Sequence, residues 1–186
     1  MDFGTLFIYI SNGDVEGLRS ALEIFSGGDV TIMRSVLLNT RNYANDTLLH
    51  EACYYCKIDV IKFFLEICDV TMSDNPLLTA QDNIGRTPLH YACHSGRIDV
   101  IKSFLEICDI TMSDNPLITF KDNAGDTPLH DACIMGQMDV VMFFLERFDV
   151  TRSDNPLLTA KDNAGITPLD KIRSRENKIG KRKVFL

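Results

Sequence analysis

The sequence predicts an all-α protein in which helix-turn-helix units stack into a solenoid, with extended loops between the units. Three observations lead to this prediction. A four-residue motif, Thr-Pro-Leu-His or a close variant, recurs every 40 residues, beginning at Thr47, Thr87, Thr127 and Thr167. Apolar residues after each copy recur at the spacing of one helix face. Turn-forming Asp, Asn, Gly and Pro residues separate these stretches. A fixed period of this length is typical of repeat architectures.

The first helix of each unit is clearest in the copy that begins at Thr87. Thr is a favourable N-cap residue, and Pro88 suits the first helical position, where its missing N–H would be unpaired in any case. Leu89 and Cys93 lie four residues apart and therefore on one helical face. We expect Gly96 to end this helix, because glycine readily adopts the left-handed conformation of a helix C-cap.

A second helix and a long loop complete the unit. Val100, Ile101, Phe104 and Leu105 give a second apolar face at helical spacing. Residues 113–116 read Ser-Asp-Asn-Pro, which is turn chemistry, and a second turn at 122–125 leads to the next Thr. The loops at 69–79, 109–119 and 149–159 are nearly identical. We expect them to share one conformation on one side of the stack and to have a structural role.

The period divides residues 1–186 into five units of a single domain. The expected units are an N-terminal cap at 1–41, central units at 42–81, 82–121 and 122–161, and a C-terminal cap at 162–186. The apolar stretch at 3–10 is expected to be a buried first helix. Residues 177–186 are expected to form the second helix of the last unit, with Val184 and Phe185 aligned with Phe144 and Leu145.

The recurring residues resemble the ankyrin repeat. The matching positions of one unit are Asp82, Gly85, Thr87-Pro88-Leu89-His90, Ala92, Gly96, Val100 and Leu105. The resemblance covers nearly the whole chain, although the usual ankyrin period is about 33 residues. The extra residues lie in the loop after the second helix. The resemblance implies an ankyrin-repeat solenoid whose concave face and hairpin tips bind other proteins. It also implies a structural role for His50, His90 and His130, whose rings would bond the backbone of the adjoining turn.

The sequence does not predict an enzyme. It has no glycine-rich phosphate loop and no nucleophile elbow, and its Asp residues recur as turn and cap residues. His50, Cys53 and Cys56 have three-residue spacing that could suggest zinc. However, His50 and Cys53 belong to positions that repeat through the chain, which favours a structural interpretation. We therefore expect no catalytic residue, no metal and no cofactor.

Charge and cysteine usage indicate the class of partner and the compartment. The net charge is −7, and residues 171–186 contribute +6 from seven Lys or Arg and one Glu, which leaves −13 for the rest. This acidic body disfavours nucleic acid as a partner. Cysteines recur at equivalent positions, as small buried residues would, and no secretory signal or membrane span is recognisable. We expect a cytoplasmic monomer, with the nucleus as an alternative because of Lys178, Lys181, Arg182 and Lys183.

Positions that vary between units are the candidates for partner contact. They lie in the turn before each Thr and at the end of each first helix: Tyr43, Asp46, Tyr54, Tyr55, Ile84, Arg86, His94, Ser95, Asp126, Ile134, Met135 and Ile166. Tyr54, Tyr55, Ile134 and Met135 are expected to be apolar anchors. Arg86, Asp46 and Asp126 are expected at the tips, where they would set the charge preference. The predicted function is therefore a protein-interaction scaffold. The alternatives are a non-catalytic regulatory or targeting subunit of an enzyme complex, and a nuclear or nucleic-acid-associated factor.

Overall fold

The computed structural model describes residues 3–68, 75–107, 115–148 and 154–183. Within these residues the chain is mostly helical, with thirteen helices and no strand. The helices are α1 (Gly4–Asn12), α2 (Val15–Ser26), α3 (Val30–Asn39), α4 (Leu48–Tyr54), α5 (Ile58–Cys68), α6 (Pro76–Thr79), α7 (Pro88–His94), α8 (Ile98–Ile107), α9 (Pro116–Thr119), α10 (Pro128–Met135), α11 (Met138–Arg147), α12 (Pro156–Thr159) and α13 (Pro168–Lys183). The predicted all-α solenoid is confirmed.

The helices form two rows. Helices α4, α7, α10 and α13 each begin directly after the repeated Thr, and each packs against the next. Helices α5, α8 and α11 form the second row beside them. At the N-terminal end, α1 packs on α4, and α2 packs on α5. The first row therefore presents equivalent positions of successive units side by side, which matters for the candidate binding surface.

The core runs along the stack between the two rows. Its columns repeat every 40 residues, and their side chains are fully buried: Ala52, Ala92 and Ala132; Cys53, Cys93 and Cys133; Phe64, Phe104 and Phe144. Small residues from the first row allow close approach of neighbouring helices. The phenylalanines of the second row fill the space between neighbouring helix pairs. Burial of a large apolar side chain contributes roughly 1.5–3 kcal/mol. The cysteines thus act as small apolar residues, as the sequence predicts.

The described parts of the three long loops have one conformation. In each, an Asn side-chain oxygen accepts a hydrogen bond from the backbone N–H two residues later, at 2.9–3.0 Å. A four-residue helix follows (α6, α9 or α12), and it buries Leu77, Leu117 or Leu157. These elements anchor the loops to the core, so the expectation of a common conformation is confirmed for this part, and the structural role stays a prediction. Residues 69–74, 108–114 and 149–153 lie outside the described residues.

The N-terminal unit contains a helix that the sequence did not reveal. Asp29 caps α3 by accepting a hydrogen bond from the Thr31 N–H at 2.7 Å. The helix buries Met33 and Leu37, and Leu37 lies 40 positions before the buried Leu77. The segment that is mostly loop chemistry in later units lacks the Asn-Pro pair here, so a ten-residue helix can form.

The C-terminal unit differs from the prediction. Helix α13 continues without a break through the start of the expected second helix at residue 177. Gly96 and Gly136 end the preceding first helices with φ of 70° and 72°, but the equivalent position is Glu176. A residue with a Cβ disfavours this left-handed conformation, so the helix continues. The predicted helix-turn-helix at 162–186 is therefore wrong in this respect. Val184 and Phe185, which were aligned with Phe144 and Leu145, lie outside the described residues.

Candidate protein-binding surface

The turns between units are joined to one another by repeated hydrogen bonds. Backbone N–H groups of Asn83, Asn123 and Asn163 each donate to a carbonyl of the preceding turn at 2.9 Å. Their side-chain amides donate to further carbonyls of that turn at 3.0–3.3 Å. The Asn of the repeated Asp-Asn pair therefore fixes the spacing of the tips. The tips form one rigid edge of the stack instead of independent loops.

The repeated histidine links each first helix to the next turn. Nδ1 of His50 accepts a hydrogen bond from the Thr47 N–H at 3.0 Å, so the proton of the neutral ring lies on Nε2. Nε2 then donates to the Arg86 carbonyl at 2.9 Å. His90 and His130 make the same bonds, at 3.1 Å to the carbonyls of Asp126 and Ile166. The structural role implied for these three residues is confirmed, and both nitrogens of each ring are occupied.

Below the tips, residues 45 positions apart meet across the junctions between units. At the first junction the Tyr91 hydroxyl lies between two carboxylates, 2.6 Å from Asp46 Oδ1 and 2.9 Å from Asp82 Oδ2. Asp46 also accepts a hydrogen bond from the Asn42 amide at 2.9 Å. Burial and the two carboxylates raise the pKa of Tyr91 far above its usual value. The tyrosine therefore remains a neutral hydrogen-bond donor.

The second junction contains an ion pair. Arg86 Nη2 lies 3.4 Å from Asp131 Oδ1, and Arg86 Nε lies 3.9 Å from Asp122 Oδ2. The Asp131 side chain is 1% exposed, and its Oδ2 has no hydrogen-bond partner. Burial raises the pKa of Asp131 to about 7, although the Arg86 guanidinium acts in the opposite direction. One carboxylate is therefore buried with incomplete compensation.

At the third junction the acidic residue precedes the basic one in the sequence, the reverse of Arg86 and Asp131. Lys171 Nζ lies 3.1 Å from Asp126 Oδ1 and 2.5 Å from Asp162 Oδ2. The three pairs Asp46–Tyr91, Arg86–Asp131 and Asp126–Lys171 thus occupy equivalent places with different chemistry. These positions vary between units because each residue matches its own counterpart in the next unit.

This arrangement corrects part of the predicted site. Asp46 and Asp126 were expected at exposed tips, but they are only 6% and 8% exposed and face the junctions. Arg86 is partly exposed, and its guanidinium faces Asp131 and Asp122. Pairing across the junctions removes Asp46 and Asp126 from the surface. Variation between units was therefore an unreliable indicator of partner contact at this position.

The remaining turn residues are more accessible. Tyr43 and Ile84 are exposed, and Ile166 is partly buried. They occupy successive turns of the stack, next to the first-helix row. A large apolar side chain at the tip of a rigid edge is available for contact with another molecule.

The ends of the first helices form a strip that runs along the stack. Its two columns are Tyr54, His94, Ile134 and Ser174, and Tyr55, Ser95, Met135 and Arg175. Tyr54 and Tyr55 are 48% and 45% exposed, and their rings meet edge to face at 5.1 Å. Ile134 and Met135 are also exposed, whereas His94 and Ser95 are partly buried. We call these eight residues the first-helix strip.

The C-terminal part of the strip contains a groove. It has a volume of about 630 Å³ and is lined by Ile134, Met135, Ile166, Lys171, Ser174 and Arg175. We call it the C-terminal groove. The structure therefore brings three of the predicted contact residues (Ile134, Met135 and Ile166) together around one depression. Three further lining residues, Lys171, Ser174 and Arg175, were not predicted, although Ser174 and Arg175 lie 40 residues after Ile134 and Met135.

In the described parts of the chain, no three His, Cys, Asp or Glu side chains are grouped so as to hold a metal ion. None of the described helices combines the length and apolar character that a bilayer span requires.

The chain matches a protein-family model over most of its length. A family model described as ankyrin repeats in three copies matches residues 6–114 and 78–155. The two matches together cover most of the helical rows and all of the first-helix strip except Ser174 and Arg175. No curated protein matches the chain.

Proposed function

Because the chain belongs to the ankyrin-repeat family, whose repeats are generally protein-interaction modules, we propose that it holds a partner protein on the first-helix strip and the adjoining tips. The observation that carries this proposal is the exposure of four large, weakly polar side chains in the strip, Tyr54, Tyr55, Ile134 and Met135. Aromatic residues and Met are enriched in the centres of protein interfaces.

The rigidity of the strip supports the same proposal. Hydrogen bonds between units fix the tips, and the alanine and cysteine columns bury the inner face of the first helices. Since a preformed surface loses little conformational entropy on binding, exposed anchors on it contribute efficiently to affinity.

We further propose that the protein acts in a reducing compartment such as the cytoplasm. All five cysteines in the described residues are free thiols, and Cys53, Cys93 and Cys133 are fully buried. Burial raises the pKa of these three thiols, which keeps them protonated and unreactive. A chain that uses cysteine as a small core residue suits an environment without disulfide formation.

The experiment is affinity capture from cell lysate followed by quantitative mass spectrometry. The immobilised full chain is compared with the double variant Tyr54→Ala/Tyr55→Ala. The matched control is Met138→Ala/Met142→Ala, which removes apolar residues of similar exposure (46% and 48%) from the second-helix row. We expect that some proteins are captured by both the wild type and the methionine control. The same proteins should be lost from the tyrosine variant. Equal retention by all three proteins, or selective loss with the methionine variant, would contradict the proposed surface.

A further inference from the structure

We infer that the C-terminal groove binds a partner segment in which an acidic residue follows or precedes an apolar anchor. This inference rests on the proposed function and specifies the chemistry of the partner. The floor of the groove is apolar, because Ile134 and Met135 expose about two fifths of their surface there. An apolar side chain of the partner would cover these residues and remove both surfaces from water.

The rim of the groove carries the positive charge of Arg175. Arg175 is exposed, and its guanidinium lies across the end of α10, where it covers Gly136 and donates to the Ile134 carbonyl at 3.4 Å. Among the described residues it makes no ion pair with a carboxylate. A guanidinium presents a planar pair of N–H groups that matches a carboxylate in geometry and charge. The group is therefore placed to receive an Asp or Glu beside the apolar floor.

The neighbouring cationic side chains on the same helix are paired with carboxylates. Lys171 also lines the groove, but Asp126 and Asp162 neutralise it from below, and both carboxylates are almost inaccessible. Arg173 is on the same helix and is 80% exposed, but it pairs with Asp170 at 3.3 Å. Among the described side chains that line the groove, Arg175 is thus the cation without a carboxylate partner, so an acidic segment is favoured over a basic one.

The test is a selection of binding peptides on the full chain. A phage-displayed library of random twelve-residue peptides is panned against the wild-type protein, and the enriched peptides are synthesised and titrated by fluorescence anisotropy. We expect enriched sequences with Asp or Glu next to Leu, Ile, Met or Phe. We expect affinity to fall about tenfold for Arg175→Glu and for Ile134→Ser, and to weaken with added salt. Arg175→Gln removes the charge with less change to the helix surface and should give a smaller loss of the same kind.

The outcomes separate this inference from the proposed function. Enriched peptides that lose affinity with Tyr54→Ala/Tyr55→Ala but not with Arg175→Glu would overturn the inference and leave the binding strip intact. Peptides without acidic residues, or with affinity unchanged in both groove variants, would also overturn it. Peptides whose affinity depends only on Met138 and Met142 would contradict both. Tighter binding of duplex DNA than of any selected peptide, lost with Arg175→Glu, would assign the groove to nucleic acid instead.

Discussion

Arg86 and Asp131 lie 45 positions apart in the sequence, and their side chains meet at 3.4 Å across the junction between two stacked units. The carboxylate is buried, so its charge depends on this guanidinium for compensation. We predict that above pH 7, where the Asp131 carboxyl is ionised, Arg86→Met lowers the free energy of unfolding by roughly 3 kcal/mol, because it leaves an unpaired buried charge. Adding Asp131→Leu should recover much of that loss. Urea unfolding of both single variants and the double variant measures the coupling, and additive effects would show that the pair does not interact.

The Tyr91 hydroxyl is predicted to contribute to stability as a donor between Asp46 and Asp82. Tyr91→Phe removes the donor and leaves two carboxylates facing each other, which should cost about 1–3 kcal/mol. The matched control is Tyr43→Phe, since the Tyr43 side chain is fully exposed and its loss of a hydroxyl should have no effect. Chemical denaturation compares the two variants. Equal stability of both would mean that the hydroxyl at the junction makes no net contribution.

Cys56 is predicted to be a strained position that glycine would relieve. It has φ of 57°, whereas the equivalent residues in the next two units are Gly96 and Gly136 at 70° and 72°. The left-handed conformation costs a residue with a Cβ about 1–2 kcal/mol. Cys56→Gly should therefore be more stable than Cys56→Ala by about 1 kcal/mol, because both lose the thiol and only alanine keeps the Cβ. A glycine variant less stable than the alanine variant in thermal unfolding would contradict this.

The buried histidines predict loss of stability in mild acid. Burial lowers the pKa of His50, His90 and His130, for His90 to about 4 from an ordinary value of 6.5. Below pH 6.5 the unfolded chain therefore binds more protons than the folded chain, and the free energy of unfolding should fall as the pH drops from about 6.5 toward 4. Stability constant over this range, measured by urea unfolding at each pH, would show that the rings are protonated at no cost.

Asp131 is predicted to oppose this trend. Its pKa is raised to about 7 in the folded chain from an ordinary 3.8, so between these values the folded state binds the extra proton. Its contribution therefore stabilises the fold at low pH and is lost as the pH rises toward 7. Asp131→Asn should remove this contribution and make stability rise more steeply between pH 4 and 6.5. If the free energy of unfolding changes with pH in the same way for the wild type and the variant, Asp131 titrates normally.

The repetitive part of the fold was predictable because its signals are local. The caps at Thr47, Thr87 and Thr127 and the apolar faces that follow act within a few residues and recur in one register. Two features at the ends were missed. Helix α3 depends on Asp29 as a cap in a segment that elsewhere carries Asn-Pro. The continuity of α13 follows from Glu176 in place of a glycine, a signal that comparison with Gly96 and Gly136 would have revealed.

The candidate site was predictable only in part, because variation between units has two causes. Tyr54, Tyr55, Ile134 and Met135 vary and are exposed, as the sequence suggested. Asp46 and Asp126 vary for another reason, since each faces a different side chain across its junction. That counterpart lies 45 residues away, 5 more than the period, so comparing equivalent positions could not reveal it. A search for opposite charges at a 45-residue step would have identified Arg86–Asp131 and Asp126–Lys171.

Binding of a partner through the first-helix strip is tested most directly by titrating a protein captured by the full chain against three purified forms. These are the wild type, Tyr54→Ala/Tyr55→Ala and Met138→Ala/Met142→Ala, each with its thermal unfolding recorded. Loss of a central aromatic anchor commonly costs ~2 kcal/mol or more, or about 30-fold in Kd. We predict that the tyrosine variant weakens binding at least to this extent while its Tm and that of the control remain close to wild type. Unchanged affinity of the tyrosine variant, with loss of binding in the methionine variant, would contradict the account.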